Sequence, residues 1–432
     1  MDTLRSKRPI FVILLLIFAG EAIFVLPFVL ARIFRPTFLE VFGLNNLELG
    51  SCFSVYGVVA FISYFFGGSL ADKYAPRTLM AVALFMTAIG GFYMATFPSY
   101  FAMRLLFGYY GFTTIFLFWA PMIKATRVWG GQDKQGLAFG FLDGGRGLVA
   151  ASFGSLGVVV FSYMLSLDVS KASLLDHQEA FKYVIWASSA MIMFIAMLVY
   201  YFLKPISANL EKLHHQKKIY TLENFKSVLK YPTVWLMMLI ILCAYVGYKT
   251  TDIFSLYAKD VLGYDDIDSA KIGTYLLYIR PVTGVAIGLL ADRTRASLWI
   301  IIGFLIMMLS SLFFASGVIS DKTIYLFIIS VIFMAIGVYA TRVLYFAIME
   351  EAKLPLAITG TAVGFISVVG YTPDIFAGPM IGVLLDNSPG ELGHQHVFIA
   401  MAIFSLVGFC AALAFSIITR KKVINPKQKG LD

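Results

Sequence analysis

The sequence predicts an all-α integral membrane protein of twelve transmembrane helices arranged as two six-helix bundles. Three observations carry this expectation. Of 432 residues, 59% are apolar and 14% charged, against about 45–50% and about 25% in ordinary globular chains. Apolar runs of roughly twenty residues recur along the whole chain, long enough at ~1.5 Å rise per residue to cross a hydrocarbon layer of about 30 Å. The longest polar stretch, 204–232, divides those runs six and six.

Taken in order, the breaks at glycine, proline and charge place the spans at 9–34, 47–71, 77–97, 99–124, 136–163, 181–203, 233–258, 270–291, 297–318, 322–349, 357–385 and 396–419. The domains expected from this are an N-terminal bundle over 1–203, a cytoplasmic linker over 204–232 and a C-terminal bundle over 233–432. The first run is too long for the apolar core of a signal peptide and reads as a span. Leu222, Phe225, Val228 and Leu229 recur at helical spacing in the linker, as in an amphipathic helix on the membrane surface. Cys52, Cys243 and Cys410 lie far apart in apolar stretches, so core positions are expected for them and no disulfide or metal framework.

The net charge of +9 is a topology signal. Arg5, Lys7, Arg8, the lysines of the linker and Arg420–Lys422 all fall on one side of the membrane, which the positive-inside rule assigns to the cytoplasm. The termini and linker are therefore expected inside, in a plasma (inner) membrane, with the lipid bilayer and not nucleic acid as the partner of the basic excess. Cysteines placed by Lys217→Cys and Ser388→Cys should label from opposite faces of the membrane; labelling from one face would overturn this orientation.

An internal repeat supports the division into halves. Gly68-Ser69-Leu70-Ala71-Asp72-Lys73 returns as Gly288-Leu289-Leu290-Ala291-Asp292-Arg293 at an offset of 220. Ala125-Thr126-Arg127 returns as Ala340-Thr341-Arg342, and Gly136-x-Ala138-x-Gly140 as Gly360-x-Ala362-x-Gly364.

The Gly-x-Leu-Ala-Asp-Lys/Arg pattern between spans two and three, continued by Arg77 and repeated between spans eight and nine, closely resembles the signature loop of the major facilitator superfamily. The resemblance covers essentially the whole chain. It implies two bundles related by an axis along the membrane normal, with a solute site between them near the midplane. It also implies a gating role for Gly68, Asp72, Arg77, Gly288, Asp292 and Arg293, in which the aspartates latch onto nearby arginines and helix starts. Trp129-Gly130-Gly131-Gln132 and Tyr371-Thr372-Pro373-Asp374 with Gly378-Pro379 look like the organic-anion branches, the anion–cation symporters and organophosphate antiporters. Span five is rich in glycine but lacks the proline of multidrug–proton antiporters, and the sugar-porter and peptide-transporter signatures are absent.

Away from the span ends, nine ionisable residues remain inside spans: Glu21, Arg104, Asp143, Arg146, Lys249, Asp252, Arg280, Arg342 and Asp374. At a helix centre each costs roughly 2.5–3.5 kcal/mol, so they must pair or face water. Asp143 and Arg146 share one helix face, as do Lys249 and Asp252, and each pair can neutralise itself. Arg280 and Glu21 have no partner on their own helices, which leaves pairing across the bundle or a charged solute. Depth nominates Arg146, Arg280, Lys249, Glu21 and Asp374 as solute-contacting residues, with Tyr275 and Tyr278 one turn or less from Arg280. Glu21, Asp143, Asp252, Asp374 and Arg104 are the candidates for proton coupling or charge pairing. Asp374 follows Pro373, where the helix is expected to break.

Enzyme signatures are lacking: the chain has neither a Walker loop nor a Gly-x-Ser-x-Gly elbow, and His177, His214, His215, His394 and His396 fall outside the expected spans or, for His396, at the very edge of one. No cofactor or metal is expected, and the His394-x-His396 pair reads as polar surface. The sequence thus points to a monomeric secondary active transporter of a small polar, anionic organic solute, driven by gradients and open to proton coupling. Two rivals are a non-transporting solute sensor on the same fold, which an uptake assay in vesicles separates, and a lipid or drug flippase, which requires an apolar cavity without converging bases.

Overall fold

The structure, a computed structural model, describes residues 9–130, 135–165, 172–203, 229–319, 323–345, 347–352 and 366–424. Fifteen helical segments are described. They are α1 (Ile10–Ala22), α2 (Val25–Ile33), α3 (Arg35–Phe42), α4 (Asn46–Lys73), α5 (Pro76–Met94), α6 (Tyr100–Gly130), α7 (Gln135–Met164), α8 (Leu174–Phe202), α9 (Pro232–Asp260), α10 (Asp266–Arg293), α11 (Ala296–Ala315), α12 (Ile324–Leu344), α13 (Ile348–Ala352), α14 (Ile366–Asn387) and α15 (Glu391–Ile424). Eleven are long and apolar enough to cross a membrane, and α1 with α2, bent by 44°, makes a twelfth span. Large exposed apolar side chains such as Phe101, Tyr163 and Val282 are what a lipid-facing surface requires.

Local signals set the helix starts. Asn45 accepts from the Glu48 backbone N–H at 2.8 Å while Glu48 accepts from Asn45 N–H at 3.0 Å, a reciprocal cap that satisfies two backbone donors at the head of α4. Ser173 and Asp176 repeat the arrangement at the head of α8. Pro76 and Pro232 occupy first turns, where the missing N–H costs nothing.

Among the described residues, α2, α6 and α9 each include a stretch of another helix type. Pro27 has no N–H to give Ile23, and Val25–Val29 relaxes into a π turn beside the bend. Pro121 does the same to Leu117, and Phe112–Trp119 is a second π stretch inside α6. In α9 a 3-10 turn over Thr251–Ile253 carries Asp252.

The chain forms two compact units, Met1–His215 with Tyr264–Pro281, and Gln216–Gly263 with Val282–Asp432. In the first, Phe34, Phe38, Phe161 and Phe181 meet edge to face in the core. In the second, Phe254, Tyr257, Phe314 and Phe398 pack ring against ring. Such pairs contribute about 0.5–1.5 kcal/mol each beyond their burial.

Several sequence expectations change. The sixth and twelfth spans start earlier than hydropathy alone placed them, because polar first turns precede the apolar runs. His177 and His394 are consequently helical and buried, at 6% and 0% exposure, rather than surface loop residues. Cys52 and Cys243 are core, but Cys410 is exposed, since a small residue on a lipid-facing stripe carries no sequence mark. The amphipathic pattern at Leu222, Phe225 and Val228, and the Gly360–Gly364 echo, lie outside the described residues.

Candidate functional site

In the first unit, the Arg146 Nε donates to Glu21 Oε2 at 2.9 Å, and both side chains are at least nine-tenths buried. Glu21 sits at the end of α1, just before the bend. The Arg146 guanidinium carbon lies 5.3 Å from the Phe24 ring centroid and 5.8 Å from that of Trp119, within the range of cation–π attraction. The two π-distorted stretches therefore border the same guanidinium, Phe24 beside one and Trp119 closing the other. Gly20 makes this approach possible: a Cβ there would stand 2.9 Å from Met122 Sδ and 3.4 Å from Arg146 Cδ.

Arg280 reaches across to α7, where its Nη2 donates to Asp143 Oδ1 at 2.8 Å. The arginine side chain is 3% exposed and the aspartate 44%. Its stem packs against Gly147, at which a Cβ would be 3.2 Å from Arg280 Cδ and 3.1 Å from Pro281 Cδ. Tyr278 shares a hydroxyl hydrogen bond of 2.8 Å with Ser155. Tyr275 and Tyr278 are both exposed, at 59% and 40%.

In the second unit, Lys249 Nζ lies 2.6 Å from Asp374 Oδ1. The Tyr245 hydroxyl donates to both Asp374 oxygens at 3.2 Å. The guanidinium of Arg342 lies 3.6 Å from the Tyr248 ring centroid and 5.6 Å from that of Tyr245. The break expected at Pro373 is present: a turn at 371–372 interrupts α14, and Asp374 opens the helix that follows, where a carboxylate is favoured by the helix dipole. Asp252 is buried one turn beyond Lys249.

Sequence reasoning offered neutralisation within one helix for Asp143, Arg146 and Lys249. The structure supplies each with a partner on another helix, 125 residues away for Arg146 and 137 for Asp143. Arg104 is half-buried, its guanidinium 5.7 Å from the Tyr100 ring.

Of the gating-loop residues, Gly68 is exposed and the Asp72 side chain lies outside the described ones. Arg77 stands 5.8 Å from the Tyr200 ring, and Lys124 Nζ donates to the Ala71 carbonyl at 2.8 Å. Gly288 is half-buried, while Asp292 and Arg293 are exposed. The polar cluster behind this turn in the second unit was not legible in the sequence. Arg295 Nη2 donates to Glu351 Oε2 at 2.8 Å, and Ser297 donates to the same carboxylate through its N–H at 2.9 Å and its hydroxyl at 2.7 Å. A glutamate just outside an expected span reads as a solvated loop residue, and nothing in its neighbours along the chain marked this partnership.

A chain of membrane-spanning helices that keeps paired charges and aromatic-framed bases in its interior, within two units carrying a shared repeat, has the construction of a solute carrier. The sequence matches the Major Facilitator Superfamily over residues 10–378; the chain belongs to that family, and it is a multi-pass secondary transporter, not an enzyme. It is 25% identical over 408 residues to inner membrane protein YqcE of Escherichia coli, covering 93% of this chain and 94% of that protein. It is 26% identical over 404 residues to inner membrane protein YihN of the same organism, covering 91% and 92%. Among solved structures, a bacterial homologue of the human lysosomal transporter Spinster in an inward-facing, occupied conformation matches with a TM-score of 0.73 at 14% identity, covering 94% and 96%. The nucleoside transporter NupG matches with a TM-score of 0.67 at 15% identity, covering 94% and 98%. These last two show the fold alone.

Proposed function

We propose that this transporter moves a small polar organic anion by alternating access, as a monomer, and couples that movement to protons through Glu21 and Asp374. The observation that carries the reading is the buried Arg146–Glu21 pair framed by Phe24 and Trp119 at a distorted span. A guanidinium offers a planar fork of donors that fits carboxylate, phosphate or sulfonate. Adding an anion to a neutral buried ion pair leaves a net charge in a dry site, which is expensive. A proton taken up by Glu21 removes that cost and frees Arg146 to bind the anion, so proton and anion travel together. Lys249 with Asp374 repeats the logic in the second unit. The likeness of Trp129–Gln132 and Tyr371–Asp374 to the organic-anion branches points the same way.

A thermal-shift screen of sugar phosphates, carboxylates, sulfonates and nucleosides on the purified chain tests the solute class, because a ligand at a hundred times its Kd stabilises by about 2.7 kcal/mol. Stabilisation by uncharged nucleosides and by no anion would overturn the anionic reading. For coupling, Glu21→Gln should keep ligand-induced stabilisation while uptake in proteoliposomes loses its dependence on external pH. An unchanged pH profile in that variant would sink the role given to Glu21.

A further inference from the structure

From residues remote from these ion pairs, we infer that Glu40, His177 and Asp266 form a binding site for a divalent transition-metal ion of the zinc type. The three come from the end of α3 and the beginnings of α8 and α10, all within the first unit. One donor atom from each lies within 4.8 Å of the other two.

The argument turns on the two faces of one imidazole. His177 Nδ1 lies 3.1 Å from Glu40 Oε1. An ionised carboxylate only accepts, so Nδ1 carries the proton, and in the neutral ring Nε2 carries the lone pair. Nε2 lies 3.7 Å from Asp266 Oδ2. Nε2 is buried and has no hydrogen-bond partner, in a side chain 7% exposed beside an aspartate 5% exposed. A metal ion held by Nε2 and Asp266 Oδ2 would give this buried nitrogen the partner it lacks.

A separation of 3.7 Å is too long for an N–H···O bond, which prefers about 2.7–3.2 Å. It suits two ligands of one ion. With Zn–N and Zn–O near 2.0–2.2 Å and a tetrahedral angle, neighbouring ligand atoms stand about 3.4 Å apart. Glu40 then plays the part that a carboxylate commonly takes behind a metal-bound histidine, accepting from the other ring nitrogen and fixing the tautomer. One imidazole with carboxylate favours ions such as zinc or cobalt over magnesium or calcium, which prefer oxygen alone.

The internal repeat supplies a control within the same molecule. Asp260 lies at Glu40 plus the 220-residue offset of the signature loop, and His394 opens α15 as His177 opens α8. These two also pair, His394 Nε2 to Asp260 Oδ2 at 3.0 Å. Among the described residues, however, no second carboxylate joins them in a group of potential ligands. The first unit therefore carries the repeated acid–histidine pair plus Asp266, and that addition turns a structural contact into a site.

The test is Co2+ titration of the tag-free, full-length chain in detergent, read by the visible absorption of the bound ion, with Zn2+ competition and Mg2+ as the negative control. Wild type should give a saturable spectrum that Zn2+ removes and Mg2+ does not, with a rise in Tm of several degrees on adding Zn2+. Asp266→Asn, which preserves side-chain shape, and His177→Gln should lose both signals. Glu40→Gln should weaken binding about tenfold, the usual size of an outer-shell loss. Asp260→Asn and His394→Gln should bind as wild type. No spectrum in wild type, or an undiminished one in Asp266→Asn, overturns the site. So does a Tm that rises on acidification but ignores Zn2+, because a proton rather than a metal would then bridge His177 and Asp266.

Discussion

Lys249→Ala is expected to be the most damaging single change at the ion pairs, lowering stability by about 3–5 kcal/mol, the range for removing one member of a buried pair. The side chains of Lys249 and Asp374 are 8% and 13% exposed and meet at 2.6 Å, so water cannot take the place of the missing ammonium. The Tyr245 hydroxyl remains at 3.2 Å from both carboxylate oxygens, but one neutral donor does not balance a buried charge. Asp374→Asn should cost less than Lys249→Ala, since the amide keeps an acceptor for Tyr245. The double change Lys249→Met/Asp374→Leu should recover most of the stability, because well-packed apolar replacements of a buried pair are often neutral. Thermal and denaturant unfolding in detergent give the ranking. A double variant no more stable than Lys249→Ala would show that the pair is not the source of the effect. Transport should be lost in all three, which separates the structural cost from the function assigned to the pair.

Arg280→Ala should abolish transport with a smaller loss of stability, and Arg280→Lys should not restore it. Arg280 is 3% exposed but its partner Asp143 is 44% exposed. Asp143 can rehydrate when the arginine is removed, so the figure for a hydrogen bond to a charged group, about 1.5–3 kcal/mol, applies rather than that for a fully buried pair. Lysine keeps the charge but lacks the fork. The comparison that decides between pairing and solute contact is Arg280→Ala/Asp143→Ala. If Arg280 serves only to balance Asp143, the double variant transports better than Arg280→Ala. If Arg280 holds the solute, stability recovers and transport does not. Near wild-type uptake by Arg280→Lys, or unchanged ligand-induced stabilisation in Arg280→Ala, would overturn the assignment.

The class of protein, the span count and the repeat were legible in the sequence, because each is written in short-range pattern. An apolar run long enough to span lipid needs no partner to be recognised, and the Gly68–Lys73 and Gly288–Arg293 segments correspond at one offset. The charges that are out of place were marked as well, since an ionisable group inside an apolar run is costly wherever the helix packs. The break before Asp374 was legible too, because a proline that lacks an N–H acts locally.

How those charges are satisfied is a matter of packing between helices. Helical spacing offers each ionisable residue a neighbour three or four positions away and says nothing of a helix more than a hundred residues distant. Glu21 meets Arg146, and Asp143 meets Arg280, through packing that depends on Gly20 and Gly147 having no side chain at the crossing. His177 was misplaced for a related reason. Hydropathy begins a span where apolar residues begin, whereas a capped helix can begin a turn or two earlier and carry polar residues into the interior. Once inside, His177 finds Glu40 and Asp266 from two other helices, a meeting set by the crossing of three elements and by no spacing along the chain.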